Sequence, residues 1–94
     1  MGIRKDREKL YGPIEKTGEI WEGIMASLYS GPGFASAPPV VKYALSNIAG
    51  KFARAANGDW THLDGWEDVL EYVRTIRDAA EKVKGKGEEN AKTS

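Results

Sequence analysis

Residues 39–56, PVVKYALSNIAGKFARAA, decide the fold. Val41, Ala44, Leu45, Ile48, Phe52, Ala55 and Ala56 recur at steps of mostly three and four, the period of an amphipathic helix and not of a strand. Pro39 suits the first helical position, where a missing N–H costs nothing, and Asn57-Gly58 marks the end. Working upstream, Ser30 to Pro39 holds two glycines and three prolines and reads as a loop. Before it, Ile14, Trp21, Ile24, Met25 and Leu28 predict a helix over 13–29, opened by Pro13. Gly18 and Gly23 lie inside that helix, each costing about 1 kcal/mol relative to Ala unless a partner packs close.

Downstream, Asn57–Leu63 is a short polar connection carrying Trp60 and His62. Asp64 suits an N-cap, and Glu67 and Asp68 suit the positive end of the helix dipole. Trp66, Val69, Leu70, Val73, Ile76, Ala80 and Val83 extend the stripe, so the third helix is expected over 65–83, stopped at Gly85. The expected architecture is all-α: a small three-helix bundle over 13–84, an arm over 1–12 and a disordered tail over 85–94, whose KGEENAKTS has almost nothing to bury.

Composition narrows the function classes. The chain has 94 residues, one domain's worth, and a domain this small has a thin stability margin that oligomerisation would widen. Ile20, Tyr29, Phe34, Tyr43 and Tyr72 exceed what three stripes need, and suit a homo-oligomer interface, a ligand cleft or the bundle ends. Fourteen basic against fourteen acidic residues leave no net charge, so there is no basic field for sequence-independent nucleic-acid binding. The absence of cysteine excludes disulfides and thiolate chemistry, and the single His62 excludes two-histidine sites within a chain. No stretch reaches the roughly 18 apolar residues of a membrane span, and a cytoplasmic location is expected.

Three sets of side chains could carry chemistry. Glu15, Glu19 and Glu22 form an acidic strip on the first helix, and Asp64, Asp68 and Glu71 repeat its spacing on the third. Such strips on neighbouring helices can hold Mg²⁺ or Mn²⁺, which prefer several oxygen ligands. Each strip nevertheless points roughly 135–155° from its own apolar stripe, so the alternative is a pair of solvated faces unless a second subunit meets them. Asn47, Lys51 and Arg54 flank the apolar stripe of the middle helix, where Lys and Arg together suit a phosphate; the alternative is pairing with Asp64, Glu67 or Asp68. Tyr11 and Trp60, near turns, could stack on a nucleobase or merely cap the core, and Trp66 is expected in the core. The Gly31-Pro32-Gly33 loop lacks both the residues and the preceding strand of a phosphate loop.

Leu10-Tyr11-Gly12, Trp21, Lys51-x-Ala53-Arg54, Asp64-Gly65-Trp66-Glu67-Asp68 and Tyr72 together resemble a family of small phage-encoded proteins of unassigned function. That family is similar in turn to the MazG-like all-α nucleoside triphosphate pyrophosphohydrolases. The resemblance covers about residues 7–80 and implies a dimerising helical bundle with a nucleotide ligand. It further implies Mg²⁺ or Mn²⁺ on Glu19, Glu22, Asp64 and Asp68, with phosphates on Lys51 and Arg54. Where the MazG-like enzymes have Glu-Glu-x-x-Glu, this chain has Gly18-Glu19-x-x-Glu22, and Asp64-x-x-x-Asp68 and Asp68-x-x-Glu71 replace Glu-x-x-Asp. Two functions follow as expectations. One is nucleotide binding with metal-dependent pyrophosphohydrolysis. The other is a non-enzymatic binder that sequesters a nucleotide, including a signalling nucleotide, or docks on a host protein.

Overall fold

The computed structural model describes residues 13–93, with side chains described as far as Gly85; the arm expected over 1–12, Tyr11 included, lies outside the described residues. Four helices and no strands occur among the described residues: α1 (Ile14–Tyr29), α2 (Pro32–Ala35), α3 (Pro39–Asn57) and α4 (Leu63–Thr93).

Pro13 caps α1 from an extended conformation, its carbonyl accepting the backbone N–H groups of Lys16 and Thr17 at 3.1 and 3.2 Å. Ser30 closes that helix with its hydroxyl on the Ser27 carbonyl at 2.6 Å. The segment expected as loop contains one helical turn, α2, because Pro32 is tolerated at a first helical position and Ser36 caps the turn by donating to the Pro32 carbonyl at 2.9 Å. That turn buries Phe34, whose ring meets Tyr29 edge-on at 4.8 Å. Helix α4 begins at Leu63, which places Asp64 in its first turn and not at the cap. It also runs through Gly85 to Thr93. A glycine inside a helix costs only about 1 kcal/mol, and the flanking Lys, Glu and Ala residues are good helix formers, so Gly85 does not end it.

Helix α3 packs on both α1 and α4, whereas α1 and α4 make no substantial contact with each other. The expected closed bundle is therefore an open row with α3 in the middle. Ser46, Gly50 and Asn57 face α1: the Trp21 indole N–H donates to the Ser46 carbonyl at 3.3 Å, and Asn57 donates to the Pro13 carbonyl at 2.9 Å. Lys51 and Phe52 face α4, through Asp68 and Trp66. At about 100° per residue these two contact lines lie roughly 170° apart on α3. Small side chains permit the double contact: Ala44, Ala49 and Ala53 are almost wholly buried. The remaining buried hydrophobics among the described residues are Met25, Phe34 and Ile48. Met25, Phe34 and Ala49 form a core with Ile24, Leu28 and Leu45 against it, on the side of the row that α2 covers.

Candidate functional site

The opposite side of the row carries a trough. Its floor is α3, through Tyr43, Ser46, Asn47, Gly50, Lys51 and Arg54; α1 supplies Ile14, Thr17, Gly18 and Trp21, and α4 supplies Tyr72. The trough encloses about 490 Å³. A second hollow of about 210 Å³ opens beside it toward the α3–α4 connection, lined by Asp59, His62, Asp64, Trp66 and Asp68 among others. Lys51 and Arg54 line both, and so stand on the wall that the two share.

The sequence strip Asn47, Lys51, Arg54 therefore reaches the trough as a unit, and Tyr43, four residues earlier on the same face, extends it. Tyr43 and Tyr72, which the sequence leaves open between an oligomer interface, a ligand cleft and the bundle ends, both line this trough. Trp21 was legible as a core residue, yet it remains partly exposed along the trough wall, its indole fixed by Ser46. Asn47 spends one amide N–H on the Tyr43 carbonyl at 2.9 Å. Lys51 is paired: its ammonium lies 2.7 Å from the Asp68 carboxylate, the intramolecular contact that the sequence left open.

The connection between α3 and α4 is shaped by Asp59. Its carboxylate accepts both the hydroxyl and the backbone N–H of Thr61, an Asx-type turn. Those two bonds, the hydroxyl first, hold the Asp59 carboxyl below the usual carboxylate range, and the nearby His62 adds to the effect. Trp66 is half-buried, donating its indole N–H to the Trp60 carbonyl at 2.6 Å and lying 6.0 Å from the Phe52 ring. Trp60 itself is exposed and is not among the residues that line either cavity.

The four expected metal ligands do not converge within one chain. Glu19 and Glu22 are exposed on α1, with Glu19 3.6 Å from Lys16, while Asp64 and Asp68 sit on α4 beyond the intervening α3. Among the described residues no group of three or more His, Asp or Glu side chains could hold a metal ion. No family model, curated protein or solved structure matches this chain. No helix among the described residues is long and apolar enough to cross a membrane.

Proposed function

We propose that this protein binds a nucleotide in the α1–α3–α4 trough, with the phosphates against Lys51 and Arg54 and the base along Trp21, Tyr43 and Tyr72. The observation that supports this reading is the trough's pairing of an aromatic flank with a cationic end. Its volume, about 490 Å³, falls in the range of small-ligand sites. Aromatic faces stack on any base, and a guanidinium matches a phosphate through paired N–H donors. Asp68, bonded to Lys51, sets a limit on affinity because an incoming anion must share or displace it. Binding without hydrolysis is the preferred form, since the described carboxylates of a single chain do not assemble a metal site.

The second form is the metal-dependent pyrophosphohydrolase that the MazG-like resemblance implies, in a cytoplasmic protein of phage type. It is favoured only if a homo-oligomer brings carboxylates of another copy to Asp64 and Asp68. Calorimetric titration of nucleoside mono-, di- and triphosphates, with and without Mg²⁺ or Mn²⁺ and followed by product analysis, separates the forms. Saturable binding with the nucleotide recovered intact is the expected result. Released pyrophosphate would select the enzyme. Arg54→Ala should weaken binding by about 10–150-fold, the loss of a charge-assisted contact. No binding of any nucleotide at millimolar concentration would end the proposal and leave docking on a host protein.

A further inference from the structure

A three-helix row has two sides, and among the described residues only α2 covers the side away from the trough, and only in part. Layers of helices are stable when each apolar face meets another layer. Along the uncovered part, Leu63, Trp66, Leu70 and Val73 follow one another on α4 at steps of three, four and three, the spacing of a coiled-coil seam. They occupy a strip about 80° wide, counting about 100° per residue. Leu63 is 74% exposed, Leu70 53% and Val73 47%. Phe52, partly exposed on α3, widens the strip through its ring contact with Trp66, and exposed Trp60 stands at its start. Tyr72, which α4 contributes to the trough, and Asp68, the partner of Lys51, lie roughly 160° round the helix from the centre of this strip, although Trp66 also borders the smaller hollow at the α3–α4 connection.

We infer that this face is an interface with a second copy of the chain, two α4 helices crossing antiparallel about a two-fold axis. The charge pattern selects a second copy and fixes the register. Glu67 and Arg74 are exposed on the same edge of the strip, seven residues apart and of opposite sign. A two-fold antiparallel pair places like edges together. Setting Leu70 against Val73 of the second copy brings Glu67 opposite Arg74 of the second copy, and the symmetry makes that pair twice. The same register sets Leu63 against Ala80 and lays the Arg77 guanidinium over the Trp66 ring, an attractive cation–aromatic contact. The present partners of these arginines are exposed neighbours on the same helix, Glu71 at 2.8 Å and Glu81 at 3.2 Å, and such pairs contribute little. The trough stays open, because it lies on the other side of the row.

Light scattering of the purified chain at about 100 µM should return twice 10.3 kDa. Leu70→Glu should yield a monomer with unchanged helical circular dichroism. Glu67→Arg and Arg74→Glu should each weaken the dimer about 10-fold or more, since each places like charges together twice, and the two combined should restore it. A monomeric wild type, or a dimer indifferent to all of these changes, overturns the inference. If Leu70→Glu fails to fold, the paired charge reversals at exposed positions still decide: single losses without rescue in the double variant also overturn it. Nucleotide affinity measured on the monomeric variant should stay within about 2-fold of wild type, so the interface stands or falls separately from the ligand.

Discussion

Asp68→Asn separates a binding trough from a merely structural ion pair, because the two give opposite expectations. Lys51 is mostly sheltered, its side chain 22% exposed, while that of Asp68 is 55% exposed and 2.7 Å away. A pair so open contributes about 0–1 kcal/mol to stability, so the substitution should lower the melting temperature by only a few degrees. A phosphate on Lys51 would sit roughly 5 Å from the Asp68 carboxylate, where two like charges repel by about 3 kcal/mol at an effective dielectric constant near 20. Exposure to water and salt cuts this to about 1 kcal/mol, equivalent to roughly 5-fold. Removing the charge while keeping the shape should therefore tighten a nucleoside triphosphate by about 5-fold at low salt, with the gain fading as salt is added. Isothermal titration across a salt series, on wild type and on Asp68→Asn, reads both. Unchanged or weaker binding in a folded Asp68→Asn protein would show that no phosphate sits at Lys51, and the trough reading would lose its phosphate-binding end.

Other consequences concern stability and the α3–α4 connection. No atom of a neighbouring element lies within 4 Å of the place a methyl group would occupy at Gly23, so Gly23→Ala should stabilise by about 0.5–1 kcal/mol in chemical denaturation, and a loss would mean that a partner uses that close approach. Ala53 is wholly buried, so Ala53→Leu should destabilise by about 1–3 kcal/mol or force the row apart; a neutral melt would contradict the tight packing of α3. Thr61→Ala removes the first cause of Asp59's lowered pKa, so its carboxyl should titrate closer to the ordinary value in a carbon NMR titration, and an unmoved midpoint would discount the hydroxyl bond. The sign follows from the depressed folded value: the turn gains from Asp59 above about pH 4, and loses that gain as the pH falls through its folded pKa.

The long elements were readable because each carries its own period. Residues 39–56 announced a helix through their apolar stripe and two flanking signals, and the structure ends that helix within one residue of the expected place. The strip Asn47, Lys51, Arg54 was readable for the same reason, since three residues on one face arrive together wherever the helix goes. What periodicity could not supply was the relation between helices. Tyr72 joins Tyr43 in the trough only because α4 packs on α3, and no spacing within either segment encodes that. The single turn at Pro32–Ala35 escaped because its composition argues for a loop, while the decisive fact is tertiary: Phe34 has somewhere to go. Gly85 misled in the other direction. A glycine after a lysine is a frequent C-terminal signal, but its cost of about 1 kcal/mol is too small to stop a helix by itself.

The middle helix also explains why the two sides of the row differ chemically. With α1 and α4 on opposite flanks, α3 has two faces left, one turned to the trough and one away from it. The trough face carries Tyr43, Asn47, Lys51 and Arg54, groups that stack and donate hydrogen bonds. The other carries Leu45, Ala49 and Phe52, which form no hydrogen bonds through their side chains. An apolar face of this kind is satisfied by another apolar face, from α2 where Phe34 reaches and from elsewhere where it does not. A mixed aromatic and cationic face is poorly matched to hydrocarbon, because covering it would take Arg54, Lys51 and the Asp68 carboxylate paired with Lys51 out of water. On the readings proposed above, the two open sides take different kinds of partner: a small charged ligand on one, a second copy of the chain on the other.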